Sequence, residues 1–118
     1  MKVEACWFEI PVIEQERATK FYSDIFDVKF EWQENGGFKM AFFPEMRGAL
    51  MMGEGYSAGN MGIMVYLTAS DDLLVVLDKV EAAGGKIVVP KIDIGNDVGF
   101  SAHIMDTEGN KIGLWSKS

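Results

Sequence analysis

A lone histidine, His103, and a glutamate set in an apolar run, Glu9, are the side chains of this sequence best suited to moving a proton. An imidazole titrates near neutral pH. A carboxylate that shares a strand face with Trp7 would have its pKa raised by partial burial and act as a proton acceptor. The bland alternatives are a structural or ligand-bonding His103, and a Glu9 that is a solvated edge residue or pairs with Arg17 or Arg47. Strand alternation puts Trp7, Met51, Met64, Tyr66 and Trp115 on the same faces as these two residues, making them the candidate ligand-binding set. Walls of that composition, with few polar groups, suit a flat or apolar ligand; alternatively the tryptophans fill the space or pack at a dimer interface. Cys6 alternates with them onto the opposite face, which predicts a buried hydrophobe and not a nucleophile. Eight methionines could re-pack around varied ligands or serve as core filler.

The stretch that must position His103 runs from Phe100 to Ser116. Two short apolar runs flank Asp106-Thr107-Glu108-Gly109-Asn110, which predicts a β-hairpin bringing His103 alongside a Trp on the neighbouring strand. Further upstream, Val3 to Ile10 reads as a strand ended by Pro11. Ala18, Phe21, Tyr22, Ile25 and Phe26 form one helical stripe over residues 14–26, with Glu14 and Glu16 at its start. Residues 28–33 and 38–43 read as strands about Asn35-Gly36, and 48–52 as a third. The order then repeats. A strand is expected over 62–68, with Ile63, Val65 and Leu67 on one face. A helix follows, with Ser70 or Asp71 as its N-cap and a stripe of Leu73, Val76, Leu77, Val80 and Ala83, stopped at Gly84-Gly85. Residues 86–90, 99–105 and 110–116 supply three more strands. An internal repeat of β-α-β-β-β at an offset of roughly 57 residues follows, too short for each copy to close its own core. Residues 53–60, rich in glycine and small residues, form the linker.

Composition excludes several classes. With 118 residues, 48% hydrophobic and 25% charged, the chain suits one folded domain. A net charge of −7 and scattered Lys and Arg argue against nucleic acid and anionic membrane surfaces. One cysteine excludes an internal disulfide and any CxxC motif. The lack of a signal-peptide pattern or a long apolar run leads to the expectation of a cytoplasmic protein with no membrane partner.

Four stretches carry a resemblance: Trp7-Phe8-Glu9-Ile10-Pro11-Val12; Glu16-Arg17-Ala18-Thr19-Lys20-Phe21-Tyr22 with Ile25-Phe26; Val80-Glu81-Ala82-Ala83-Gly84-Gly85-Lys86; and Asp106-Thr107-Glu108-Gly109-Asn110-Lys111-Ile112. Over nearly its whole length the chain resembles the vicinal oxygen chelate superfamily of glyoxalase I, bleomycin-resistance proteins and extradiol dioxygenases. It is most similar to small bacterial proteins related to lactoylglutathione lyase, although Thr107 stands where Pro is common. The resemblance implies an α+β fold of two βαβββ modules, about 1–53 and 60–118 of a single domain, forming a cup-shaped mixed sheet and commonly completed in a homodimer. It also implies four metal ligands, at positions occupied here by Trp7, Ala49, Met64 (or Val65 one residue on) and Gly113. None of these is a histidine or carboxylate, so no metal and no other cofactor is expected.

The resulting expectation is a small-molecule-binding protein with a metal-free aromatic cup. One alternative is a metal-independent isomerase or lyase using Glu9 and His103 as acid–base groups. Another is a dimeric interaction module with no open pocket.

Overall fold

In a computed structural model, which describes residues 5–118, β-α-β-β-β occurs twice. The first unit comprises β1 (Phe8–Pro11), α1 (Gln15–Phe26), β2 (Trp32–Asn35), β3 (Phe38–Phe42) and β4 (Gly48–Met52). The second comprises β5 (Tyr66–Thr68), α2 (Leu74–Leu77), β6 (Lys86–Asp93), β7 (Phe100–Met105) and β8 (Lys111–Ser116). Each forms a four-stranded mixed sheet, ordered β1-β4-β3-β2 and β5-β8-β7-β6. In both, the first strand lies parallel to the last and the others pair antiparallel. This is the expected α+β architecture.

Helix α1 follows its sequence pattern closely. Ala18, Phe21, Tyr22 and Ile25 are buried, the Glu14 side chain caps the first turn by accepting from the Arg17 N–H, and Asp27 ends the helix in the left-handed conformation. Helix α2 is much shorter than its stripe suggests, although Leu73, Val76, Leu77 and Val80 are all buried. Beyond Leu77 the chain continues in tighter turns, with Lys79 N–H donating to Val76 O and Val80 N–H to Leu77 O. The adjacent β-branched pair Val75-Val76 is a poor helix former, and tertiary burial sets the rest. Neither Ser70 nor Asp71 caps this helix: Leu74 N–H donates to Asp72 Oδ1 (3.0 Å) and Leu73 N–H to Ser116 Oγ (2.9 Å).

Several strand limits also differ from expectation. The two-residue turn consists of Gly36 and Gly37, both at positive φ (59° and 85°), so Asn35 pairs with Phe38. That register leaves residues 28–31 opposite the end of β3 and Pro44, which has no N–H to offer, so β2 starts only at Trp32. At the other end of the chain, β6 runs through Pro90, because Pro90 lies on an edge strand where the register shifts between Val89 and Ile92. Strand β5 is short: Gly62, at φ 99°, breaks the extended run, and Ile63, expected inside, is fully exposed. The first strand begins at Phe8; Val3 and Glu4, also assigned to it, lie outside the described residues. Cys6 is exposed, which corrects the expectation that it is buried: it precedes the strand, where alternation does not apply.

One hydrophobic cluster spans both units. It joins Ile10, Phe21, Tyr22 and Leu50 of the first to Leu67, Leu73, Leu77, Ile104 and Leu114 of the second. The opposite sheet faces carry the candidate site.

Candidate functional site

Where β1 faces the segment leading into β5, the two sheets border a cleft of about 560 Å³. Trp7, Glu9 and Pro11 line one wall; Met64, Tyr66 and Lys111 line the other. On the first wall the Glu9 carboxylate is held by two donors. Trp7 Nε1 donates to Oε2 (3.2 Å) and Tyr56 Oη to Oε1 (2.6 Å), so neither Arg17 nor Arg47 is its partner. The carboxylate raises the Tyr56 pKa, chiefly through this hydrogen bond. Edge-on aromatic contacts back the group, Trp7 on Phe42 and Tyr56 on Phe38, each with centroids 6.0 Å apart. Tyr56 was not anticipated, because it sits in the glycine-rich linker where no strand period could assign it a face. Its one signal was being the sole aromatic residue in residues 53–60.

The second wall is organised by a row across three strands. Tyr66 on β5 pairs with Gly113 on β8, and Gly113 with His103 on β7. The Tyr66 ring lies directly over Gly113, where a Cβ would meet Tyr66 Cδ2 at 2.3 Å. Across that gap Tyr66 Oη and His103 Nε2 are 2.7 Å apart. His103 Nδ1 is buried and has no partner among the described residues. A buried N–H without an acceptor is costlier than a bare lone pair, which assigns the ring hydrogen to Nε2. His103 then donates to Tyr66 Oη, leaving the phenol hydrogen free to donate outward, polarised by the bond it receives. Burial, and secondarily the Lys111 ammonium, lowers the His103 pKa and favours the neutral ring.

Of the predicted residues, the cleft gathers Trp7, Glu9, Met64 and Tyr66. It does not gather the others. His103 stands behind Tyr66, and Met51 is only 6% exposed, paired with Met40. Trp115 lies opposite Ser101 instead of His103 and turns away to donate from Nε1 to Val98 O (3.1 Å). Glu9 and His103 therefore do not share one cavity. A larger groove of about 650 Å³ opens between the two helices, lined by apolar Phe8, Phe26, Phe43, Leu67 and Val76 and by charged Asp27, Glu45, Arg47 and Lys79, and it contains none of the predicted site residues.

The positions implied for metal ligands do not fit a divalent ion. Trp7, Ala49, Met64 and Gly113 offer one thioether between them, Ala49 is fully buried beside Glu9, and the Tyr66 ring covers Gly113. Among the described residues no three His, Cys, Asp or Glu side chains come together as a metal site.

The hairpin motif does structural work instead. Glu108 is 4% exposed and accepts from Ile13 N–H (2.8 Å), Glu14 N–H (2.7 Å), Arg17 Nε (2.7 Å) and the Thr107 hydroxyl (2.8 Å). Asp106 accepts from Tyr22 Oη (2.7 Å), and Asn110 Nδ2 donates to Pro11 O (2.7 Å). The turn of the second unit thereby grips the strand and helix start of the first, alongside the cleft.

Comparison with known proteins places this geometry. Residues 6–114 match the model of the Glyoxalase/Bleomycin resistance protein/Dioxygenase superfamily. The chain is 31% identical over 117 residues to "Putative glyoxylase CFP32" of Mycobacterium tuberculosis, covering 92% of this chain and 44% of that protein, so it spans under half of that relative's length. It is 36% identical over 110 residues to a "Glyoxylase-like domain-containing protein" of Didymella fabae, covering 86% and 84%. Among solved structures, a V278E mutant of Zea mays glyoxalase I superimposes with a TM-score of 0.69 at 17% identity (94% of this chain, 45% of that one). The fosfomycin resistance protein FosX of Listeria monocytogenes does so at 0.69 and 15% identity (98% and 94%). At such identities the structures show a shared fold.

Proposed function

The chain belongs to the Glyoxalase/Bleomycin resistance protein/Dioxygenase superfamily, and we propose that it uses this fold to hold a small organic molecule in a metal-free cleft with aromatic walls. One observation carries the reading. The Tyr66 ring, hydrogen-bonded to His103, occupies the space over Gly113 into which a metal-binding carboxylate at that position would have to project. Metal-dependent glyoxalase I chemistry is therefore not assigned to this chain, despite relatives named glyoxylase. Sequestration of a drug-like molecule is in keeping with the neighbouring resistance proteins. A homodimer with cytoplasmic residence remains part of the proposal.

The acid–base alternative receives less support, since Glu9 lines the cleft and His103 does not. An interaction module without an open pocket would instead bury the Trp7 and Trp115 faces across a two-fold interface. The test is a thermal-shift screen of small aromatic and drug-like compounds with and without EDTA. A bound compound at a hundredfold excess over its Kd should stabilise the fold by about 2.7 kcal/mol, unchanged by the chelator. Stoichiometric zinc, nickel or iron in native mass spectra of protein purified without chelators would overturn the reading.

A further inference from the structure

The two walls of the cleft differ in hydrogen-bonding character. On one side the Glu9 carboxylate has each oxygen engaged by a single donor, Trp7 Nε1 or Tyr56 Oη, and a carboxylate oxygen can accept a second. Among the described residues, none of those lining that wall is a cation. On the other side Lys111 borders the same space, and Tyr66, half exposed, meets His103 Nε2 at 2.7 Å; with the ring hydrogen assigned to Nε2, the phenol hydrogen is left to donate outward. One wall accepts and the other donates. Between them lie flat apolar surfaces, and the volume suits a small molecule.

Building on the reading above, we propose that the cleft recognises an amphoteric aromatic molecule, its ammonium end on Glu9 and its oxyanion end on Tyr66 and Lys111. Charge-assisted bonds are the strong ones in such a site, so both ends should contribute to affinity. His103 acts here through Tyr66, as a positioning residue that keeps the phenol hydrogen aimed outward. The net charge of −7 would favour approach of the ammonium end, leaving Lys111 to select for the second charge.

Four probes sharing one indole ring separate the terms: indole, tryptamine, indole-3-propionate and tryptophan, measured by titration calorimetry at pH 7.5. Each charge should tighten binding over indole by roughly tenfold, with tryptophan the tightest. Glu9→Gln should abolish the advantage of tryptamine while sparing that of indole-3-propionate, Lys111→Met should do the reverse, and Tyr66→Phe should weaken indole-3-propionate while leaving tryptamine unchanged. Four probes binding with equal affinity would overturn the two-ended site and leave the aromatic cleft standing. A gain from only one of the two charges would also overturn it. If none of the four binds at millimolar concentration, the aromatic-cleft reading falls with it.

Discussion

Because His103 is the only histidine in the chain, its ring signals in an NMR titration report directly on the contact with Tyr66. Its folded pKa is lowered, by burial first and Lys111 second, so the folded protein binds the proton less readily than the unfolded chain. Stability is then full above about 6.5, the ordinary histidine value, and declines as pH falls below it. A titration midpoint at or above 6.5 in the wild type would contradict this arrangement. Gly113→Ala inserts a Cβ at 2.3 Å from the Tyr66 ring and must displace it. The expected result is a loss of about 1–3 kcal/mol in urea unfolding, with the His103 midpoint moving back up as water reaches the ring. Strand alternation correctly put Tyr66 and His103 on one type of face. It could not show that they meet across a glycine, because the parallel β5–β8 register is set by a crossover through α2 and not by any local turn. Trp115 illustrates the same gap: its face was legible, but its turn toward Val98 depends on where the loop after β6 closes.

Among the elements, the β7–β8 turn carries the largest electrostatic commitment. Burial acts to raise the Glu108 pKa, but the Arg17 guanidinium, the Glu14 and Ile13 N–H groups and the Thr107 hydroxyl outweigh it and lower the value to about 2. The folded value lies below the ordinary 4.5, so this stabilisation is complete above about pH 4.5, erodes as pH falls and is gone near pH 2. Glu108→Gln should cost about 2 kcal/mol at pH 7. In paired denaturant melts, the difference from wild type should shrink by pH 3; a pH-independent difference would mean that the charge of Glu108 is not what matters. Ser116→Ala, which removes the buried acceptor of Leu73 N–H, should cost about 1–2 kcal/mol by the same measurement. The element order and α1 were legible because their periodicity and caps are local. The length of α2 was not, since its stripe reports burial, and burial persists at Leu73 and Val80 outside the regular helix. Pro90 misled for a related reason: a proline ends a strand only where the ladder needs its N–H.

For the whole molecule, the two sheets share no strand pairing among the described residues, yet one hydrophobic cluster runs through both units and the Asp106–Asn110 turn ties them together. Neither sheet can keep its helix-facing side covered if the other leaves. Unfolding should therefore be a single transition, in which the slowest-exchanging amides of β4 and β8 open with the same free energy and the same denaturant slope. Asn110 is the residue to probe. It is 6% exposed, donates to Pro11 O and to Asp106 Oδ2, and accepts from Gly59 N–H at the start of the segment bordering the cleft. Asn110→Ala removes all three bonds, at a cost of about 3 kcal/mol. If the turn is the principal polar tie, hydrogen exchange in this variant should show the two sheets opening with separate free energies, and the cleft, which needs a wall from each, should lose ligand affinity more steeply than global stability falls. Equal opening energies in the variant would instead assign the coupling to the shared hydrophobic cluster together with the Glu108 and Asp106 bonds that the variant keeps.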